Sequence, residues 1–171
     1  MIPYGKQDIR DIDIESVIEV LRSDFLTQGP KVEKFEENIS SKINARHSVA
    51  VNSATSALHV ACMALDLSDG DIFWTSPITF VASANCGLYC RAKVDFVDID
   101  PLTFNISPSA LEAKLIKAKK LGTLPKILIV VHLCGLSADM AKIYNLSKIY
   151  GFKIIEDGSH AIGGKYKNQY I

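Results

Sequence analysis

The sequence predicts an α/β fold, a mainly parallel β-sheet with helices on both faces. Three features lead to it. Short runs rich in Val, Ile and Phe alternate along the chain with segments of helical period. Gly and Pro punctuate the junctions, as in Gly29-Pro30, Ser107-Pro108, Gly122 and Gly151. Strands separated by helices, finally, require right-handed crossovers, which build a parallel sheet covered on each side.

The elements follow in order. Ile14, Val17, Ile18 and Leu21 mark an amphipathic helix, and Val32, Phe35, Ile39 and Ile43 mark a second beyond the Gly29-Pro30 turn. His47 to Val51 is predicted as the first strand, Ser56 to Leu65 as a helix, Asp71 to Thr75 as a strand, Thr79 to Tyr89 as a helix and Val94 to Ile99 as a strand. Ser107 is an N-cap with Pro108 in the first helical position, and Gly122 ends that helix. Strand Lys126 to His132 follows. Ser137 is expected to cap a helix that turns Met140, Ile143, Leu146 and Ile149 inward, and Gly151 closes it. Phe152 to Glu156 completes the strands, and Gly164 to Ile171 begins a hairpin.

Composition narrows the function. With 171 residues, 48% hydrophobic and 22% charged, the chain has the profile of a globular protein of one domain or part of a larger one. Its 19 basic and 19 acidic residues cancel, and without a basic run nucleic acid is not an expected partner. The longest apolar stretch, Ile127 to Leu136, contains His132 and falls short of the roughly 20 residues that cross a bilayer, so no membrane association is expected. The opening residues have no signal-peptide core, which predicts a cytoplasmic protein. Cys62, Cys86, Cys90 and Cys134 all sit in apolar segments and are read as buried free thiols; no second pair completes a metal site around Cys86 and Cys90.

In a parallel sheet, ligands gather at the carboxyl ends of the strands. Asn52-Ser53-Ala54-Thr55-Ser56-Ala57-Leu58 opens directly into a helix, where backbone N–H groups and the Thr55 and Ser56 hydroxyls can hold a phosphate; plain N-capping is the alternative. Phe80, in Ser76-Pro77-Ile78-Thr79-Phe80, is placed to stack on a planar cofactor or to pack in the core. Glu156-Asp157-Gly158-Ser159-His160 puts an acid at the end of a buried strand. Such an acid needs a partner, and the protonated nitrogen of pyridoxal 5'-phosphate (PLP) is suitable. His160 can then reach the ring's phenolic oxygen, the alternatives being a cap or metal contact for Asp157 and a satisfied core histidine for His160. A phosphate cradle, a stacking ring and an acid after three strands together suit PLP.

These segments, with Leu26-Thr27-Gln28-Gly29-Pro30 and Ser83-Ala84-Asn85, resemble the DegT/DnrJ/EryC1/StrS aminotransferases over almost the whole chain. The resemblance implies the large domain of PLP-dependent transferase fold type I, aspartate aminotransferase-like. It implies that Ala54, Thr55 and Ser56 hold the phosphate, that Phe80 stacks on the ring, and that Asp157 and His160 contact the pyridine nitrogen and phenolic oxygen. The opening Ile2 to Lys6 and the loop Ser23 to Gly29 look most like members that aminate a UDP-linked 4-keto-6-deoxy-N-acetyl sugar on the pseudaminic acid route. That implies Tyr4, Leu26 and Thr27 beside the nucleotide sugar, glutamate as amino donor, and a homodimer for the full-length protein.

The family's Schiff-base lysine, in a Ser-x-x-x-x-Lys sequence after the Asp–His pair, is expected beyond Ile171. Ser109 to Lys114 and Ser137 to Lys142 have the spacing but precede Asp157, so both are read as surface helix chemistry. The expected organisation is an N-terminal helical segment at 1–45 and a truncated PLP-binding large domain at 46–171, without the C-terminal small domain. The chain alone is expected to be marginally stable and inactive. Two other readings stay open, a PLP-dependent sugar dehydratase with histidine in place of the lysine, and a non-catalytic fragment of an interrupted gene.

Overall fold

The computed structural model describes residues 6–171. Tyr4 therefore lies outside the described residues. The chain divides into two compact units, Met1–Ala50 and Val51–Ile171.

The first unit carries α1 (Asp11–Leu21) and α2 (Pro30–Ile43). Pro30 stands in the first turn of α2, where a missing N–H costs nothing, and Asn44 ends the helix in the left-handed conformation at φ 55°. The strand expected at His47–Val51 does not form. The Ala50 amide donates to Glu36 Oε1 at 2.7 Å, and the Ser48 and Ser40 hydroxyls bond at 2.8 Å. Side chains of α2 thus occupy groups that a strand ladder would use.

The second unit runs α3 (Ala54–Ala64), β1 (Ile72–Thr75), α4 (Ala82–Tyr89), β2 (Lys93–Phe96), α5 (Pro108–Leu121), β3 (Ile127–Val131), α6 (Met140–Tyr150), β4 (Lys153–Asp157) and the hairpin β5 (Lys165–Tyr166) and β6 (Gln169–Tyr170). The four strands β1 to β4 form one parallel sheet in the order β2-β1-β3-β4. The step from β1 to β2 goes one way across the sheet, and the steps to β3 and β4 go the other. With right-handed crossovers, α4 must lie on one face and α5 and α6 on the opposite one.

The two cores obey this. Leu58 and Cys62 of α3 and Cys86 of α4 pack with Phe73, Ile129 and Ile155 on one face. Leu111, Leu115, Ile143 and Leu146 of α5 and α6 pack with Trp74 and Leu128 on the other. Alternate residues of β1 and β3 therefore serve opposite cores, as the pleat demands.

Helix ends follow local chemistry. Ser107 Oγ accepts the Ala110 amide at 3.3 Å, and Gly122 leaves α5 at φ 68°. α6 is capped by Asp139, whose carboxylate accepts the Lys142 amide at 3.4 Å, and not by the expected Ser137. The Ala138 amide is held by His132 Nδ1 at 3.2 Å, which delays the helix start past Ser137. Ile149 is 65% exposed, contrary to expectation, because the buried stripe of α6 runs through Ile143, Leu146 and Ser147.

The apolar run after Lys126 is strand only to Val131. The chain then turns through Leu133–Gly135 with Cys134 at φ 52°, so Cys134 is exposed, and Cys90 is only half-buried, where burial was expected for both. Cys62 and Cys86 are buried with their sulfurs 3.8 Å apart. That hydrogen bond, with burial, pushes the Cys62 thiol up. The strand expected over Val94–Ile99 ends at Phe96, and Ile99 instead forms an antiparallel bridge with Ile106. The hairpin turns on Lys167 and Asn168, both at positive φ (48° and 67°), the two-residue geometry that matches strand twist.

Candidate functional site

α3 leads into β1 and α4 leads out of it, so both helices present their N-termini at the carboxyl edge of the sheet, on the same face. Ala54, Thr55, Ser56, Phe80, Asp157 and His160, the candidates of the second unit, lie at that edge.

At the start of α3, Ser53 Oγ accepts the Ser56 amide at 3.2 Å. The Ser53 hydroxyl donates to Ser56 Oγ at 3.1 Å, which in turn donates to Asn52 Oδ1 at 2.7 Å. The Ala54 and Thr55 amides are first-turn groups with no acceptor inside the helix. Free amides, a positive dipole end and neighbouring hydroxyls make this end competent to hold a phosphate.

Phe80 lies in the turn between β1 and α4. The helix begins at Ala82, three residues later than the expected start at Thr79, because the Phe80 carbonyl is taken by the Ser83 amide at 3.1 Å in a preceding turn. The Phe80 ring is 73% exposed, so core packing does not account for it. It is free to stack on a planar ligand.

Asp157 ends β4 and is buried. The direction of its side chain follows from the pleat: Ile155, two residues earlier, lies in the α3–α4 core, so Asp157 faces the same side. Its Oδ1 accepts the Ser159 amide at 3.2 Å and the Ser159 hydroxyl at 2.6 Å, and its Oδ2 accepts the Ser83 hydroxyl at 2.9 Å. No Lys, Arg or His pairs with it among the described residues. A carboxylate offers about four acceptor positions. Three are filled by uncharged donors, and the open one belongs to Oδ2. A buried carboxylate without a cation, with one acceptor position open, suits a protonated ring nitrogen. The donor set therefore fits PLP.

His160 sits exposed in the turn after β4, and its carbonyl passes 2.8 Å from where a Cβ on Gly135 would stand. Only glycine lets the turn after β3 and the turn after β4 approach so closely. Leu26 and Thr27 lie in the first unit, in the turn before α2, and both are exposed. A cavity of about 260 Å³ adjoins Leu26, lined also by Val20, Phe25 and Val32.

The sequence reading missed Ser83 and Thr79. Their hydroxyls are 2.8 Å apart, and Ser83 reaches Asp157 across 74 positions of sequence. The only signal available was their hydroxyl type just after a strand end, since Thr79 lies before α4 and helical spacing does not join it to Ser83. Also missed was His132, buried beside the site. It bonds Glu156 Oε2 through Nε2 at 2.9 Å, while Nδ1 accepts the Ala138 amide. That assignment leaves the ring proton on Nε2, donated to Glu156, and holds the neighbour of Asp157 to the opposite face. The two lysines of matching spacing are engaged elsewhere. Lys114 pairs with Asp95 at 2.7 Å, and Lys142 with Asp139 at 2.9 Å.

A parallel sheet with these residues at its carboxyl edge is the α/β architecture of PLP-dependent aminotransferases, and solved members match it closely. Helicobacter pylori PseC, an aminotransferase involved in the biosynthesis of pseudoaminic acid, matches with a TM-score of 0.87 at 31% identity, over 99% of this chain and 44% of its own. The Streptococcus pneumoniae protein Spr1654, solved in a PLP form, matches with a TM-score of 0.87 at 28% identity, over 99% of this chain and 45% of its own. In sequence, the Campylobacter jejuni UDP-4-amino-4,6-dideoxy-N-acetyl-beta-L-altrosamine transaminase of strain 81-176 is 41% identical over 100% of this chain and 44% of its own length.

Residues 7–171 match the DegT/DnrJ/EryC1/StrS aminotransferase family, and the chain belongs to it. Aminotransferases of this family are PLP-dependent. The chain spans less than half the length of the curated relatives it matches. No helix among the described residues is long and apolar enough to cross a membrane.

Proposed function

We propose that the Val51–Ile171 unit holds PLP for amino transfer to a nucleotide-linked 4-keto-6-deoxy sugar, with a UDP-linked N-acetyl sugar as substrate and glutamate as donor. The observation that carries the reading is Asp157, a buried carboxylate at a strand end with three uncharged donors and one open acceptor position. When bound, the cofactor supplies an electron sink for the carbon that loses its proton.

The chain's own residues bind and orient. Asp157 would accept a hydrogen bond from the ring N–H and so favour the protonated ring. The Ala54 and Thr55 amides, with the Thr55 hydroxyl and the Ser56 hydroxyl once it turns from Asn52, hold the phosphate at the start of α3. Phe80 covers one ring face, and His160 bonds the phenolic oxygen. Leu26 and Thr27, with Tyr4, contact the nucleotide sugar. No lysine of this chain is assigned to the proton transfer. The assembly proposed for the whole protein is a cytoplasmic homodimer, and similarity to the Campylobacter transaminase and to PseC supports the choice of sugar.

Pyridoxamine 5'-phosphate (PMP) binds without a Schiff base and is therefore the probe for the cofactor part, followed by calorimetric titration. The expected result is saturable one-to-one binding that Asp157→Ala abolishes; binding indifferent to Asp157→Ala would reject the assignment. For the sugar part, a UDP-linked 4-amino-6-deoxy-N-acetyl sugar is titrated into wild type, Leu26→Asp and Thr27→Ala. Weakened sugar binding with unchanged PMP binding is expected.

A further inference from the structure

We propose that Ser83 and Thr79 are positioning residues that aim the open acceptor position of Asp157 at the cofactor ring nitrogen. This deepens the assignment of Asp157 and rests on it.

Proton counting sets the direction of the chain. A carboxylate oxygen can only accept, so the Ser83 hydroxyl proton is committed to Asp157 Oδ2 at 2.9 Å. The contact between Thr79 and Ser83, 2.8 Å between hydroxyl oxygens, must then run from Thr79 to Ser83. The result is a one-way relay of hydrogen bonds, Thr79 to Ser83 to Asp157, in which each donor polarises the next.

Ser83 is fully buried and Thr79 is partly so, which shields this relay from competing water. On the far side of the carboxylate, Ser159 occupies both acceptor positions of Oδ1. Between them, Ser159 and Ser83 fix the rotation of the carboxylate, and the free lone pair remains on the oxygen that Ser83 also holds. Loss of Ser83 frees that oxygen to rotate, without removing any atom that touches the cofactor.

The test is a cycle of two cofactor forms and five proteins. PMP and its 1-deaza analogue, in which carbon replaces the ring nitrogen, are titrated into wild type, Ser83→Ala, Ser83→Thr, Thr79→Val and Asp157→Ala, with thermal melts on each. Ser83→Ala is expected to weaken PMP binding about tenfold, the loss of a hydrogen bond to a charged group, and to leave binding of the deaza analogue unchanged. Ser83→Thr, which keeps the hydroxyl, is expected to restore PMP binding. Thr79→Val is expected to give a smaller loss in the same direction.

Equal losses for PMP and the deaza analogue would mean that Ser83 only supports the fold, and would overturn the inference. PMP binding that needs Asp157 but ignores Ser83 would overturn it while leaving the cofactor assignment intact. PMP binding that ignores Asp157 as well would remove both.

Discussion

Gly87 of α4 stands directly over the ring of Phe73 in β1: a Cβ at Gly87 would lie 2.3 Å from Phe73 Cε1 and 2.4 Å from Cζ. Both residues are fully or nearly buried, so neither can move aside. Gly87→Ala is expected to destabilise the chain by about 3 kcal/mol, at the upper end of the cost of overpacking a core. Chemical denaturation of the variant measures it. A companion Phe73→Leu change, which opens room beside position 87, is expected to recover part of the loss.

Phe80 offers the contrasting case. Its exposed ring contributes little to the fold, so Phe80→Ala is expected to leave the melting temperature within a degree or two of wild type. PMP affinity is expected to fall about three- to tenfold, the value of an aromatic stack. A melt and a titration on the same sample separate the two effects.

The phosphate end of the site predicts competition. Thr55→Val with Ser56→Ala removes two hydroxyls and leaves the α3 amides in place. Millimolar inorganic phosphate is expected to compete with PMP for wild type, and the double variant is expected to bind both more weakly. Unchanged competition in the variant would assign the phosphate to the amides alone.

Asp71 links acid to stability. Its carboxyl is held below the usual value of 3.8, chiefly by the hydrogen bond from Lys126, whose Nζ lies 2.7 Å away and also bonds the Asp66 carbonyl. A depressed folded-state value means that the contribution is complete above the ordinary carboxylate range and is lost as the pH falls through the depressed value. The pair is part-exposed, and about 1 kcal/mol is the expected size. Asp71→Asn is expected to lower stability by that amount at neutral pH and by progressively less as the pH falls below the ordinary carboxylate range, as read from urea midpoints.

The sequence made the sheet legible wherever a signal is local. The Ser107-Pro108 start, the Gly122 and Gly151 stops and the strand that ends at Thr75 are each set by neighbours in sequence, so residue chemistry predicts them, while the last strand, expected over Phe152 to Glu156, runs one residue further to Asp157. The losses came where a distant side chain intervened. Glu36 takes the Ala50 amide from 14 positions away and leaves no strand at His47–Val51. His132 takes the Ala138 amide and moves the cap of α6 to Asp139. The site behaved the same way: the acid, the aromatic ring and the hydroxyl-rich helix start stood out as residue types, whereas the Ser83–Asp157 bond joins two elements whose contact no periodicity encodes.

The reversal of strand order between β1 and β3 has a practical consequence for reporting on this protein. It puts α5 and α6 behind the sheet, away from the face that carries α3, α4 and Asp157. A fluorophore or surface tether attached at Lys117 or Lys120, both exposed on α5, would sense unfolding through the core around Leu111 and Leu115 while leaving the ligand side unshaded. Folding and occupancy could then be read on one immobilised sample as two independent signals.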